Sequence, residues 1–497
     1  MPASLSIKDS ISERRQFAGR SLALFVVATV LVMILVGRLV QLQIFEYAKY
    51  RTRSDENRIQ VEPLAPPRGL IYDRHGVLLA DNRPQLSLSI VRERVSDFDA
   101  LVGELRALID ISDGDLADFG RRLERRRRPY EPVALKLVLS EDEQAVLAVN
   151  RHRLKGVEVT RQLVRNYPFD SLFSHAVGSV RRVSEQDLRY LDPVRYSATK
   201  FVGRRGVERF YENSLHGEVG YRRVETDAHG RVRRELEVNR PTAGQNITLH
   251  LDSRLQIAAS AALGQRRGAV VALDTRSGGV LAMVSNPGYD PNAFVLGMSS
   301  QQFASLSQSR DTPLFNRAIS GQYAPGSIFK PVVGLAGLAS GAVTWEDEID
   351  DPGYFQLPGQ SRIYRDWNWS QSNTGGQGIT NLRRAIYRSS NVFFYDLATR
   401  LEVDELAAFA AQFGYGHKSA VDIADVSEGL LPTRSWKLEV KGEPWYPGDS
   451  VNLGVGQGDL LVTPLQLATV AAVFANRGAR VRPRMLLASD RPLSEFD

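Results

Sequence analysis

The chain has 497 residues, of which 43% are hydrophobic and 24% are charged, and its net charge is +6. These values are ordinary for globular proteins, argue against a disordered chain and predict about three domains. The chain contains no cysteine, which excludes disulfides, thiolate catalysis and cysteine-ligated metal sites. Its histidines show no metal-binding spacing, so we expect neither a metal nor a cofactor. The densest basic run, Arg125 to Arg128, is interpreted as a solvated helix face, and we expect no nucleic-acid partner.

An uncharged apolar run occupies residues 21–37, and further apolar residues extend it to residue 42. A run of this length crosses the hydrocarbon core of a membrane as a single helix. Basic residues precede it, so the positive-inside rule places residues 1–20 in the cytoplasm and the body of the chain on the far side. A cleaved signal peptide is the alternative, but no small-residue cleavage site follows, which favours a transmembrane signal anchor at 21–42.

Residues 43–245 predict an elongated α/β region, a pedestal without concentrated chemistry. A helical stalk at 45–57 ends at the proline-rich segment 63–69, and an Asp-Arg-His-Gly turn then separates two apolar runs, which is typical of a hairpin. The remaining signals in this region are a strand at 85–92, helical periodicity at 96–127 and 140–150, and a second hairpin turn at 228–230.

Residues 246–497 have the pattern of a compact catalytic domain. They predict a strand at 247–252, a helix at 253–263, and a hairpin formed by 268–274 and 279–285. A hairpin followed by apolar helices gives an antiparallel sheet flanked by helices. The whole chain is therefore expected to be a multidomain α/β protein with a single N-terminal transmembrane helix.

The first chemical motif is Ser327-Ile-Phe-Lys330, because a helix brings residues three apart onto one face. A serine hydroxyl is a poor nucleophile that needs a base, and a lysine is a base only where its surroundings keep it neutral. The following Pro331 is tolerated only in a first helical turn. We therefore expect Ser327 at the positive end of a helix dipole, in contact with Lys330.

The second motif, Ser389-Ser390-Asn391, lies 62 residues further on. Its polar side chains suit proton relay and the binding of a substrate amide, while the alternative is an N-cap cluster for the helix at 392–398. Ser-x-x-Lys followed by Ser-x-Asn is the pattern of penicillin-recognising serine acyl-enzymes.

On these motifs the chain resembles the class B penicillin-binding proteins, and within them the rod-elongation branch. The resemblance covers nearly the whole chain, and its matching segments are 67–76, 203–217, 325–331, 351–359, 364–367, 412–417, 445–449 and 454–458.

The resemblance implies a D,D-transpeptidase that cross-links peptidoglycan stem peptides. In this interpretation Ser327 attacks the D-Ala-D-Ala carbonyl and Lys330 takes its proton. Ser389 relays a proton to the leaving D-alanine, and Asn391 holds the peptide amide. β-Lactams would acylate Ser327, whose backbone N–H would supply one oxyanion-hole donor.

The resemblance also places Trp445, Asp449 and Gln457 near the cleft as substrate-binding residues. It implies a bacterial inner-membrane protein with a dimerisation-like pedestal at 43–245 and a periplasmic transpeptidase domain at 246–497. The implied partners are a membrane glycosyltransferase of the shape, elongation, division and sporulation family and other proteins of the elongation complex.

Two departures from the family pattern stand out. No Lys-Ser-Gly or Lys-Thr-Gly follows Gly458, so the third family motif and its strands are missing from these 497 residues, and we expect little or no activity from them alone. Some relatives also carry a zinc cluster of two aspartates, a histidine and a cysteine. Asp351 and Asp366 match the acids, but the histidine and cysteine are absent, so no metal is carried over.

Three alternatives stay open. The chain could be a non-catalytic scaffold that activates a membrane glycosyltransferase, or a member of the septal branch of the same family. A β-lactamase or β-lactam sensor shares Ser-x-x-Lys, but neither accounts for the long pedestal behind a single anchor.

Overall fold

The computed structural model describes residues 10–46, 59–124, 132–184, 186–227, 232–370 and 375–491. The predicted stalk at 45–57, the arginine run at 125–128 and the turn at 228–230 lie wholly or almost wholly outside these residues. The helices are α1 Ser10–Val40, α2 Phe98–Leu108, α3 Asp113–Glu124, α4 Glu141–Asn150, α5 Gly206–Phe210, α6 Glu212–His216, α7 Ser253–Leu263, α8 Asn292–Leu296, α9 Ser300–Ser307, α10 Lys330–Ser340, α11 Leu382–Arg388, α12 Asn391–Arg400, α13 Val403–Ala411, α14 Arg434–Lys441, α15 Pro447–Gly454 and α16 Pro464–Ala475. The strands are β1 Ile59–Leu64, β2 Ile71–Tyr72, β3 Leu78–Ile90, β4 Val133–Lys136, β5 Val157–Asn166, β6 Ser179–Arg182, β7 Phe201–Arg205, β8 Gly220–Thr226, β9 Val232–Asn239, β10 Ile247–Leu249, β11 Gly268–Leu273, β12 Val280–Asn286, β13 Glu348–Asp351, β14 Tyr354–Gln356, β15 Ile363–Arg365, β16 Gly378–Asn381 and β17 Leu486–Ser489.

The chain divides into two compact units, residues 1–64 with 221–240, and residues 65–220 with 241–497. In the first unit, α1 continues into a π-helical turn at Gln41–Phe45. Among the described residues, Gly19–Phe45 is the one helical stretch long and apolar enough to cross a membrane, and none of its apolar window is buried within the protein. The same unit holds a three-stranded sheet in the order β1-β8-β9.

The second unit contains a larger sheet in the order β17-β10-β2-β3-β4, with β5 also paired to β3. Residues 85–90 of the strand predicted at 85–92 belong to the longer β3, whose ladder with β5 runs from Asp81 opposite Asn166 to Ile90 opposite Val157, and Arg92 instead begins a 3-10 turn. The strand predicted at 247–252 is wrong beyond Leu249. Asp252 instead accepts hydrogen bonds from two backbone N–H groups at the start of α7, which ends the extended segment.

Two of the predicted helices and one predicted hairpin are confirmed, and one predicted helical region is divided into two helices. The helix at 253–263 is confirmed, and so is the hairpin, where β11 and β12 pair antiparallel with Gly268 opposite Asn286. The helix at 140–150 is confirmed as α4, which begins with a capping box between Ser140 and Glu143. The periodicity at 96–127 forms two helices, α2 and α3, rather than one.

An apolar core inside the second unit supports the segment that carries Ser327. Phe329, Phe393, Phe394 and Tyr415 are completely buried in it, together with side chains from α10, α11, α13, α15 and α16. The ring of Phe329 meets that of Tyr415 edge-on at 5.2 Å between centroids. Ser327 therefore stands two residues away from a rigidly packed anchor.

Candidate active site

Ser327 lies in a 3-10 turn, Gly326–Phe329, that runs directly into α10. Pro331 occupies the first turn of α10, as its ring requires. The predicted position of Ser327 near a helix start is therefore confirmed. The preceding backbone is fixed because the Gly326 N–H donates to the Gly456 carbonyl at 2.8 Å, and a Cβ on Gly456 would lie 2.1 Å from the Gly326 oxygen.

Lys330 does not contact Ser327 in the way the helical spacing predicts. Its ammonium donates to the Ser389 carbonyl at 2.8 Å, to Asn391 Oδ1 at 2.7 Å and to Ser389 Oγ at 3.2 Å. Ser389 Oγ in turn lies 3.0 Å from Ser327 Oγ. Among the described residues no hydrogen bond joins Ser327 Oγ directly to Lys330 Nζ, and Ser389 Oγ lies within hydrogen-bond distance of both.

Burial is the largest influence on the pKa of Lys330. The side chain is 1% exposed and its Nζ lies 5.6 Å from the ring centroid of Phe394. This loss of solvent lowers the pKa of Lys330 to about 8, although the negative charges of Asp366 and Asp351 act in the opposite direction. A substantial neutral fraction therefore exists close to neutral pH.

The Ser389-Ser390-Asn391 turn caps a helix and also contacts Lys330. Ser390 caps α12 by accepting the Phe393 N–H at 3.1 Å, which is the structural role. Ser389 and Asn391, on either side of it, contact Lys330. Ser389 has a left-handed backbone with φ at 56°, a conformation that non-glycine residues adopt at a cost and that often marks functional sites.

Two buried acids belong to the site although the motif analysis gave them no role in it. Asp351 Oδ2 accepts the Ser390 hydroxyl at 2.6 Å, and Asp366 accepts the Asn391 N–H at 3.2 Å. Burial raises the pKa of Asp366, and the nearby Asp351 adds to the rise. The available signal was their position inside the matching segments 351–359 and 364–367, since an acid that is buried needs a partner.

These acids do not fit the zinc cluster of some relatives. Their oxygens already accept hydrogen bonds from hydroxyl and backbone N–H groups, the chain has no cysteine, and no histidine occurs between His250 and His417. Within the part of the chain that the structure describes, no three metal-ligating side chains come together.

The remaining predicted residues lie on and around α15. Trp445 is half-buried against the apolar core and donates its indole N–H to Ser450. Asp449 accepts the Tyr446 N–H at 2.7 Å as the partner in a capping box and pairs with the buried ammonium of Lys437 at 2.5 Å. Its visible role is thus to fix the start of α15.

Gln457 is exposed and directly follows Gly456, the residue that holds the Ser327 turn. Among the described residues no hydrogen bond joins Trp445, Asp449 or Gln457 to Ser327, Lys330, Ser389 or Asn391. The structure thus brings four of the seven predicted residues into one cluster.

Comparison with known proteins gives a consistent result. The model of the penicillin-binding protein dimerisation domain matches residues 63–249, and that of the penicillin-binding protein transpeptidase domain matches residues 268–492. The peptidoglycan D,D-transpeptidase MrdA of Acinetobacter baumannii is 40% identical over 483 residues, which are 97% of this chain and 71% of that protein.

Two solved structures extend the comparison. The complex of penicillin-binding protein 2 with MreC from Helicobacter pylori has a TM-score of 0.75 at 27% identity, over 88% of this chain and 81% of that chain. A structure that describes the coordination of polymerization and crosslinking by a peptidoglycan synthase complex has a TM-score of 0.67 at 32% identity, over 95% of this chain and 80% of that chain.

Proposed function

The chain belongs to the class B penicillin-binding proteins, and from this membership we propose that it is a peptidoglycan D,D-transpeptidase that forms its acyl-enzyme on Ser327. The relatives that carry this name support the reaction. Penicillin-binding protein 2 among the similar structures supports a place in the rod-elongation branch rather than the septal branch. A fluorescent fusion found at the septum rather than the side wall would reverse that assignment.

The observation that carries the proposal is the continuous path from Ser327 through Ser389 to Lys330. Two neighbours of Lys330, the Ser389 carbonyl and Asn391 Oδ1, only accept hydrogen bonds, so they occupy two N–H groups of a neutral amine. The lone pair then faces Ser389 Oγ. In this state Ser389 donates to the amine and accepts from Ser327, which is the arrangement that removes a proton from the nucleophile.

The reaction follows from this arrangement. Ser327 Oγ forms a bond to the carbonyl carbon of the penultimate D-alanine, and its proton passes through Ser389 to the Lys330 amine. When the tetrahedral intermediate collapses, the C–N bond breaks and the same proton returns through Ser389 to the leaving D-alanine nitrogen. An amine of a neighbouring stem peptide then attacks the ester carbonyl, the C–O bond to Ser327 breaks, and a proton of the amine passes to Ser327 Oγ to regenerate its hydroxyl.

Labelling with a fluorescent penicillin tests the assignment of the nucleophile. After prolonged incubation and proteolysis, we expect the label on the peptide that contains Ser327. Ser327→Ala should carry none, whereas Ser307→Ala, at an exposed position of α9, should label like the parent. Label on another residue, or undiminished label in Ser327→Ala, would refute the assignment of Ser327 as the nucleophile.

The apolar helix makes the chain a single-pass membrane protein, and we propose that its N-terminus is cytoplasmic and its catalytic domain periplasmic. The basic residues before residue 21 support this orientation. Since these 497 residues contain no cysteine, a single introduced cysteine reports the orientation without background. A membrane-impermeant maleimide should label Ser435→Cys but not Ser4→Cys in intact spheroplasts, and the reverse pattern would invert the topology.

We propose that the chain works with a membrane glycosyltransferase of the shape, elongation, division and sporulation family. The similar structures with MreC and with a peptidoglycan synthase complex support partners in an elongation complex. The same likeness favours a second function, a scaffold that activates the glycosyltransferase. Ser327→Ala distinguishes the two, because a scaffold still stimulates glycan polymerisation and rescues an elongation mutant, whereas a transpeptidase does not rescue it.

A further inference from the structure

Asp351 and Asp366 lie behind the catalytic cluster and take no part in its proton path. Asp351 is the last residue of β13 and is 1% exposed, and Asp366 directly follows β15 and is 5% exposed. Burying a carboxylate is costly unless hydrogen bonds or charges compensate for lost water. The burial of two carboxylates beside the Ser389–Asn391 turn therefore requires an explanation.

Both acids hold the same turn. Asp351 Oδ2 accepts the Ser390 hydroxyl at 2.6 Å, while Asp366 accepts the Asn391 N–H with both oxygens at 3.2 Å. The acids are also tied to each other through Gly353, whose N–H donates to Asp351 Oδ1 and whose carbonyl accepts the Asp366 N–H at 2.8 Å. The two linked acids thus hydrogen-bond to two consecutive residues of the turn, Ser390 and Asn391.

The turn needs such support because Ser389 has a left-handed backbone, with φ at 56° and ψ at 38°. A non-glycine residue persists in this conformation only where its surroundings fix it. The conformation places Ser389 Oγ at 3.0 Å from Ser327 Oγ and turns the Ser389 carbonyl towards Lys330. If Ser390 and Asn391 were released, Ser389 would relax and the bridge to Ser327 would open.

We infer that Asp351 and Asp366 are positioning residues that hold the Ser389–Asn391 turn in its relay geometry by direct hydrogen bonds, without a metal ion. This inference rests on the proposed function for its catalytic consequence, but its structural part stands apart from any activity. It also assigns a use to the two acids that match the zinc cluster of relatives, in a chain without the cysteine and histidine.

The structural part is tested by amide hydrogen exchange on the intact chain in detergent, followed over a peptide spanning residues 386–394. Asp351→Ala and Asp366→Ala should each speed exchange in this peptide by about tenfold or more, because removing a hydrogen bond to a charged acceptor frees the turn. Asp366→Asn keeps the one oxygen that can accept from both Asn391 and Trp367 and should exchange like the parent. Unchanged exchange in both alanine variants would overturn the inference.

The catalytic part is tested by the rate constant for acylation of Ser327 with a fluorescent penicillin, measured separately from the fraction of protein that reacts. The alanine variants should react about 10- to 100-fold more slowly than the parent, with little change in the dissociation constant of the penicillin. Asp366→Asn, which keeps its acceptor oxygen, should retain most of the rate. A merely structural role would lower the reacting fraction and leave the rate constant unchanged, which would refute positioning.

Two further arms separate the possible failures. Asp351→Ala, Ser390→Ala and their combination form a double-mutant cycle, and the combined loss should be smaller than the sum of the single losses because both variants break the Asp351–Ser390 contact. Chelation should leave the parent rate unchanged, whereas loss after chelation with recovery on added zinc would overturn the metal-free assignment. If the parent is not labelled at all, the proposed function fails while the exchange result still decides the positioning.

Discussion

Acylation of Ser327 should rise with pH and level off near pH 9, because the neutral form of Lys330 is the base. Burial lowers the pKa of this lysine to about 8 from its ordinary 10.5. The rate should increase with pH because deprotonation of Lys330 creates the lone pair that accepts the Ser389 proton. At low pH the lysine is protonated and this lone pair is lost. The perturbation is therefore a change of pH from 6 to 9.5 with the chain otherwise unaltered.

The magnitude follows from the pKa. With a pKa of about 8, the neutral fraction is about 10% at pH 7, about half at pH 8 and about 90% at pH 9, so the rate should increase about tenfold between pH 7 and pH 9. An ordinary lysine would instead give about a 100-fold increase over the same range, with no plateau. The plateau, rather than the increase, is the diagnostic feature.

The assay is the second-order acylation rate constant, measured well below saturating penicillin at half-unit pH intervals, because this constant reports the pKa of the free protein. Lys330→Arg is the matched control, because an arginine keeps the positive charge but does not lose its proton in this range. It should react at a low rate that is independent of pH. A parent rate that is flat across pH 7 to 9, or a Lys330→Arg variant with the parent profile, would refute the lysine as base.

Three other predictions concern the parts around this base. Ser389→Ala should lower the acylation rate constant by about 100-fold or more by breaking the bridge, with the pH midpoint retained, and an intact rate would show a direct path from nucleophile to lysine. Gly456→Ala, whose Cβ would meet the Gly326 carbonyl, should cost about 2 kcal/mol or more in urea unfolding, whereas Gly359→Ala, with similar φ and open space, should cost only about 1 kcal/mol. Tyr415→Phe removes a hydroxyl that is buried without a partner among the described residues and should leave the free energy of unfolding unchanged or raise it by about 1 kcal/mol, so a clear loss of stability would contradict this.

Local sequence signals predicted the elements that local chemistry determines. Asp252 and Gly264 bound the helix at 253–263 as cap residues, and both bounds hold in the structure. The pattern Tyr-Pro-Gly-Asp could likewise have predicted the role of Asp449 in a capping box, because proline favours the first helical turn and an acid at the third position reaches back to the cap.

Contacts between distant segments could not be predicted in this way. The bridge from Ser327 to Ser389 joins residues 62 apart, and the Asp351 contact with Ser390 joins residues 39 apart. Period and propensity describe one segment at a time, so they paired Ser327 with Lys330 and did not place Ser389, already named as a proton relay, between them. The left-handed conformation of Ser389 was also hidden, because no glycine marks the position.

Burial and the negative charges of Asp351 and Asp366 act on the pKa of Lys330 in opposite directions. If charge alone acted on this lysine, Asp351 and Asp366 would hold its pKa above the ordinary value and it would remain protonated at neutral pH. The apolar packing around Phe394 reverses that outcome by removing water. The acids are compatible with a neutral lysine only because their oxygens are occupied by the turn rather than by the ammonium. Core packing thus sets the basicity of the site, and the acids set its geometry.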